Sequence, residues 1–323
     1  MTPKKANSLI LMGKEIAPGS SMELNFSFAN LHTNTPVDVP IIVERSKYEG
    51  PTVLFTAGIH GDEVNGIEIV RQMVSKGINK PKAGTIICIP IVNIFGFLQK
   101  VREFPDGRDL NRSFPGSKTG SLAAQVAYKL MNEIVPYVDY CIDFHTGGSS
   151  RFNVPHIRIE KEQKELSDLA EQFNAPFILH SKNLNKSFRS ACQKKGIPLL
   201  LFEGGKSNSI NAIVSNTGVN GSKRVLHHLG MLRSNFKVSS PKKASVVITQ
   251  SKWVRANASG MFKSDTKVGS YVGKGEVIGH ITDPYGKIHH WIKSPQEGYI
   301  INANEAPLVY QGDALFHIST EVQ

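Results

Sequence analysis

Between about residues 39 and 235, short β-branched runs alternate with stretches of helical periodicity, and this alternation limits the possible folds more than any other feature of the chain. The spacing predicts strands at Ile41–Glu44, Val53–Ala57, Thr85–Ile91, Val138–Phe144, Phe177–His180 and Leu199–Glu203. Between and beyond them it predicts helices at Val64–Lys76, Gly120–Val135, Glu160–Phe173, Phe188–Lys195 and Ile210–Leu229. Parallel strands need long crossovers, and connections of helical length supply them. The runs Val53-Leu54-Phe55 and Leu199-Leu200-Leu201-Phe202 lack the polar alternation of a strand with one wet face, so they suit central strands covered on both sides. The expected fold is α/β: a mostly parallel mixed sheet with helices on both faces.

The pattern changes near Ser239-Ser240-Pro241-Lys242-Lys243. Beyond it glycines recur and helical periodicity stops. Two segments resemble copies of one another. Gly260-Met261-Phe262 leads to the turn at Gly275 and then Val277–Ile281, and Gly298-Tyr299-Ile300 leads to the turn at Gly312 and then Ala314–Ile318. Such a duplicated hairpin predicts a small C-terminal all-β barrel-sandwich domain. The expected division is an α/β domain over residues 1–240 and a β domain over 241–323.

A chain of 323 residues, 40% hydrophobic and 20% charged, can bury a substantial core, which excludes general disorder. The net charge of +11 favours an anionic partner. Nucleic acid is not the expected one, because the lysines are scattered, with short clusters such as Lys194-Lys195 and Lys242-Lys243, and no interleaved aromatic platform accompanies them. Cys88, Cys141 and Cys192 are far apart and odd in number, which fits small buried hydrophobes in a reducing compartment and not a disulfide framework. Gly13, Lys14 and Glu15 interrupt the apolar Leu9–Met12 patch, so neither a signal peptide nor a membrane span is expected. The default is a cytoplasmic protein with no membrane partner.

Several polar residues stand where apolar strands end: His60, Asn93, His145 and Glu203. In an open α/β sheet the carboxyl ends of the strands border the ligand crevice, so these distant positions converge. His60 and Glu63, three apart across a loop-to-helix transition, can reach one ion, and a third ligand would leave an open coordination position. Alone, such a pair is more often structural. His145 is the natural third ligand, the alternative being a surface histidine at a capped strand end. Asp143, two residues earlier on the same strand face, is placed to fix the tautomer of His145. Asn111 and Arg112 offer an amide and a planar fork of donors to a carboxylate. Arg102 and Arg108 are candidates to polarise a carbonyl, or else belong to a solvated basic loop. Glu203, after four apolar residues, is a candidate general acid/base or a structural carboxylate at a turn.

Gly58-Ile59-His60-Gly61-Asp62-Glu63, Asp109-Leu110-Asn111-Arg112, Asp143-Phe144-His145 and Phe202-Glu203-Gly204 together resemble the succinylglutamate desuccinylase/aspartoacylase family, a branch of the zinc carboxypeptidase-like fold. The resemblance implies one zinc ion per chain on His60, Glu63 and His145. It implies Glu203 as general acid/base, Asn111 and Arg112 as clamps on the substrate carboxylate, and a carbonyl-polarising arginine for which Arg102 is the choice. The reaction it implies is hydrolysis of the amide of a small N-acylated amino acid. A zinc carboxypeptidase acting on short peptides shares these motifs, and a non-catalytic metal-binding protein is a further alternative. The family's β domain borders the active-site entrance, where Tyr285 and Tyr310 are expected. The same domain resembles biotinyl/lipoyl carriers, but Lys287 in its turn lacks their methionine flank. Arg151, Arg158 and Arg189 are candidates for a second carboxylate. The acyl group, the amine half and the oligomeric state stay open.

Overall fold

A computed structural model describes residues 4–161, 163–241 and 243–323. Met1–Pro3, Glu162 of the expected helix Glu160–Phe173 and Lys242 of the Lys242-Lys243 pair lie outside the described residues. The chain opens with β1 (Leu9–Leu11) and β2 (Lys14–Ile16), then β3 (Ser21–Asn30), β4 (Pro36–Arg45) and β5 (Thr52–Ala57). There follow α1 (Val64–Ser75), β6 (Thr85–Ile89), α2 (Ile94–Gln99), α3 (Leu122–Lys129), β7 (Tyr140–Gly147) and β8 (Arg151–Ile159). Next come α4 (Lys164–Phe173), β9 (Phe177–His180), α5 (Phe188–Lys194), β10 (Leu199–Lys206) and α6 (Ala212–His228). Eight strands close the chain: β11 (Val246–Arg255), β12 (Gly260–Ser264), β13 (Tyr271–Val272), β14 (Val277–Thr282), β15 (His289–Lys293), β16 (Gly298–Asn304), β17 (Leu308–Val309) and β18 (Ala314–Val322).

The sheet is mixed. Its centre, β6-β5-β7-β10, is parallel throughout, whereas β4 joins β6, and β8 joins β10, in antiparallel sense. Alternation along the strands divides the core in two. Leu54, Ile87, Cys141 and Leu199 face α3 and α5, while Val53, Phe55, Ile142, Phe144 and Phe202 face α1, α4 and α6. Helices therefore cover both faces, as central apolar strands require. The expected helix over Gly120–Val135 is α helix only to Lys129, then a π turn over Leu130–Ile134 and a short 3-10 turn, where Pro136 removes an amide donor. The expected helix start at Glu160 moves to Lys164, because β8, absent from the sequence expectation, runs to Ile159.

The segments on either side of residue 240 share the sheet. β11 pairs parallel with β9, and β16 pairs antiparallel with β8, so residues 302–304 lie directly opposite 151–153. The glycine repeat has a structural basis here. A side chain at Gly260 would come within 2.5 Å of Thr282 O, and one at Gly298 within 2.1 Å of Ser319 O, so the first residue of β12 and of β16 must lack a Cβ. The small sheet β15-β14-β12-β17 packs on β16 and β18 through Phe262, Ile281, Ile300, Leu315 and Phe316. All three cysteines are buried and free, and no helix among the described residues is long and apolar enough to cross a membrane.

Candidate active site

Strand β5 ends at Ala57, and the chain turns through Gly58–Asp62 into α1. The turn lies against the backbone of α2: a Cβ on Gly61 would come 1.9 Å from the carbonyl carbon of Gly96, so the backbone can sit here only without a side chain. Glu63 occupies the N-cap of α1, yet its carboxylate makes no capping bond. It faces two imidazoles instead. Oε1 lies 2.7 Å from His60 Nδ1, Oε2 lies 2.8 Å from His145 Nδ1, and Thr146 N donates to Oε2 at 3.1 Å. All three residues are buried, and one ligand atom from each lies within 4.8 Å of the others.

The far sides of both rings meet carboxylates. His145 Nε2 is 2.9 Å from Asp143 Oδ2, and Thr56 donates to the other oxygen at 2.7 Å. His60 Nε2 is 3.1 Å from Asp109 Oδ1. A carboxylate only accepts, so each Nε2 must carry its hydrogen, and in the neutral ring Nδ1 is then a lone pair. Two lone pairs aimed at two carboxylate oxygens repel unless a cation lies among them. That cation is either a proton on each ring or one metal ion, and the N/N/O donor set with its carboxylate-backed histidines fits a divalent metal such as zinc. The charges agree. Burial works against ionisation of His145, but Asp143 and Glu63 outweigh it and hold its pKa well above the usual value. Burial would raise the pKa of Glu63, but His60 and His145 hold it well below the ordinary carboxylate range.

Arg102 stands at the rim of this cluster. It donates from Nε and Nη2 to Asp109 Oδ2 at 3.2 and 2.8 Å, and from Nη1 to Glu63 Oε1 at 3.3 Å. Asn93 is not a cavity residue; it is fully buried, caps α2 by accepting from Gly96 N, and donates to the carbonyls of Arg102 and Glu103, fixing that segment. Arg108 is exposed and faces Asp106 at 3.8 Å, whereas Arg102 is bonded to Glu63 of the His60–Glu63–His145 cluster.

Glu203 is the register partner of His145 across the parallel pair β10–β7, which sets it beside the His60–Glu63–His145 cluster. Burial raises its pKa, and Arg158, with Nε at 3.6 Å from Oε1, offsets this in part. Asn153 donates to Oε2 at 2.9 Å. Asn111 Oδ1 accepts from Phe188 N at 2.9 Å, which leaves its NH2 for another partner, and Arg112 lies exposed beside it.

These side chains line one open cavity of about 1190 Å³, to which Arg151, Arg158, Lys182 and Arg189 also contribute. Of the three arginines named for a second carboxylate, Arg158 faces Glu203, and Arg189 Nη2 is bound to Ser181 and the carbonyl of Lys182. Tyr285 and Tyr310 are exposed and outside the cavity lining; Trp253 and Asn302 are what the C-terminal strands contribute instead. Lys287 is exposed in its turn. Sequence alone assigns no role to Asp109, Asn153, Trp253 or Asn302. Only Asp109 carries a signal, as the residue leading the Asp-Leu-Asn-Arg motif.

Comparison with known proteins places this geometry in a lineage. Residues 49–229 match the succinylglutamate desuccinylase/aspartoacylase catalytic domain. The chain is 28% identical over 261 residues to N-alpha-acetyl-L-2,4-diaminobutyric acid deacetylase of Halomonas elongata, covering 76% of this chain and 75% of that protein. The fold is shared with a succinylglutamate desuccinylase/aspartoacylase of Rhodobacter sphaeroides, at TM-score 0.79 and 24% identity over 94% of this chain and 95% of the other. It is also shared with the product-bound ectoine utilization protein EutE (DoeB) of Ruegeria pomeroyi, at TM-score 0.82 and 22% identity over 93% and 95%. With more than half of its length matched, and the matched span carrying His60, Glu63, His145 and Glu203, the chain belongs to the succinylglutamate desuccinylase/aspartoacylase family.

Proposed function

We propose that the protein is a zinc-dependent deacylase that hydrolyses the amide bond of a small N-acylated amino acid bearing a free carboxylate. One observation carries the reading: His60 Nδ1 and His145 Nδ1 converge on Glu63 while a carboxylate occupies the far nitrogen of each ring. Zinc bound by these residues would supply a Lewis acid for the amide carbonyl and lower the pKa of a water. Family membership and the acetylated amino acid in the name of the Halomonas relative support a deacylase class.

The chain's own residues would divide the work. Glu203, its basicity raised by burial, takes the proton of the attacking water and returns it to the leaving amine. Arg102, held by Asp109 and Glu63, presents a guanidinium to the developing oxyanion. The free NH2 of Asn111 and the fork of Arg112 hold the substrate carboxylate, so that the amide is fixed near Glu203. The cations Arg151 and Lys182 on the cavity wall favour an acidic small molecule.

The test is a panel of N-acetyl and N-succinyl amino acids and short peptides incubated with zinc-loaded protein, with products read by mass spectrometry. Release of free amino acid from acylated substrates is expected. Cleavage of peptides alone would replace this reading with a carboxypeptidase, and silence across the panel would contradict both.

A further inference from the structure

The carboxylate of Glu203 is oriented from a part of the chain that the reaction does not otherwise involve. Its Oε2 receives the Nδ2–H of Asn153, which is 4% exposed. The Oδ1 of Asn153 in turn receives Nδ2–H from Asn302 at 2.7 Å. Asn153 and Asn302 lie directly opposite one another where β8 pairs with β16, 149 residues apart in sequence. Both amide orientations follow from one fact. A carboxylate only accepts, so Asn153 must turn its NH2 to Glu203 and its carbonyl away, and Asn302 must answer that carbonyl with its own NH2.

Packing alone does not explain Asn302. It is 3% exposed, and its Oδ1 has no hydrogen-bond partner among the described residues. Burying an amide with an unmatched oxygen is costly, and an apolar residue would remove that cost while leaving the buried Asn153 carbonyl without its donor. What the amide adds is a donor aimed at Asn153.

We propose that Asn302 is a positioning residue for the hydrolysis: from the C-terminal β strands it locks the Asn153 amide, which aims its N–H at Glu203 and holds the carboxylate toward the cavity. The proposal rests on Glu203 being the general acid/base. Under it, the C-terminal strands are part of the catalytic support and do more than border the entrance.

The test compares N302D, N302A, N153A and the double variant N153A/N302A with wild type for kcat, KM, zinc content and melting temperature on whichever acylated amino acid the wild type cleaves. N302D keeps the size of the side chain but sets a carboxylate against the Asn153 carbonyl. While that carboxylate is ionised, Asn153 relieves the contact by turning its own carbonyl onto Glu203. N302D and N302A should each lower kcat about tenfold or more, with KM within about twofold and one zinc retained. In the N153A background, N302A should cost less than about twofold further, because its effect passes through Asn153. Should N302D fail to fold, N302A and the double variant still decide the matter. Wild-type kcat in N302A, or the same fold loss in the N153A background as in wild type, would overturn the proposal. A wild type silent on the panel, or a Glu203→Gln variant of normal activity, would instead remove the reading on which it rests.

Discussion

At the scale of single residues, the site depends on what stands behind each ligand. Asp143 and Asp109 hold the outer nitrogens of His145 and His60, so each ring is held with Nδ1 toward Glu63. Under the zinc reading proposed above, Asp143→Asn and Asp109→Asn should each weaken zinc binding about 10–100-fold, measured by competition with a chelating dye, because an amide no longer fixes the tautomer. Unchanged affinity in both would mean that the ring orientation is set by packing. His60, Glu63, His145 and Glu203 were legible in the sequence because each is a polar residue at or near an apolar strand end, and the topology brings strand ends together. Asp109 was visible in its motif but its function was not, because spacing says nothing about which ring nitrogen a carboxylate meets. Asn302 left no signal at all, since its importance depends on pairing with a strand 149 residues away.

At the scale of elements, β8 shows why a strand can be missed. Its sequence Arg151-Phe152-Asn153-Val154-Pro155-His156-Ile157-Arg158-Ile159 carries polar residues where a core strand would carry apolar ones. Arg151, Asn153 and Arg158 line the cavity, and these polar side chains interrupt the hydrophobic period. Pro155 is tolerated because the pairing of β8 with β10 shifts register between Glu203 and Gly205, next to it. The same strand carries His156, one of a pH-sensitive pair whose other member is His317. Burial and Arg158 hold His317 on β18 down to about 3, while burial, Arg158 and His317 hold His156 well below its usual value. Unfolded, both histidines gain a proton near pH 6.5, and folded they do not. The unfolded state therefore binds more protons below that pH, and stability falls as pH drops from 6.5, by up to about 1.4 kcal/mol per pH unit per histidine. Urea denaturation at pH 7 and pH 5 should show this loss, and His317→Gln should reduce it; equal pH dependence in the two proteins would refute the assignment. Gly61→Ala makes a sharper demand. With Gly96 carbonyl carbon 1.9 Å from the new Cβ, the loop and α2 must separate, and the variant should lose more than about 3 kcal/mol or fail to accumulate as folded protein.

At the scale of the whole molecule, the change of composition near residue 240 and the repeated glycines were readable because they are local. The continuity of strand pairing across that point was not, because β11 with β9 and β16 with β8 join segments that share no sequence period. Such shared pairing predicts a single cooperative unfolding transition for the intact chain. Residues 1–240 expressed alone would leave the edges of β8 and β9 unpaired and should aggregate. Two separate calorimetric transitions, with a soluble fragment, would contradict it. The decisive measurement is made on the Glu203→Gln variant, assayed for zinc content and for free amino acid released from an N-acylated amino acid that the wild type cleaves. One zinc per chain is expected in both proteins, with turnover about 10²–10⁴-fold lower in the variant; near-wild-type release by the zinc-loaded variant would contradict the assignment of Glu203 as the general acid/base.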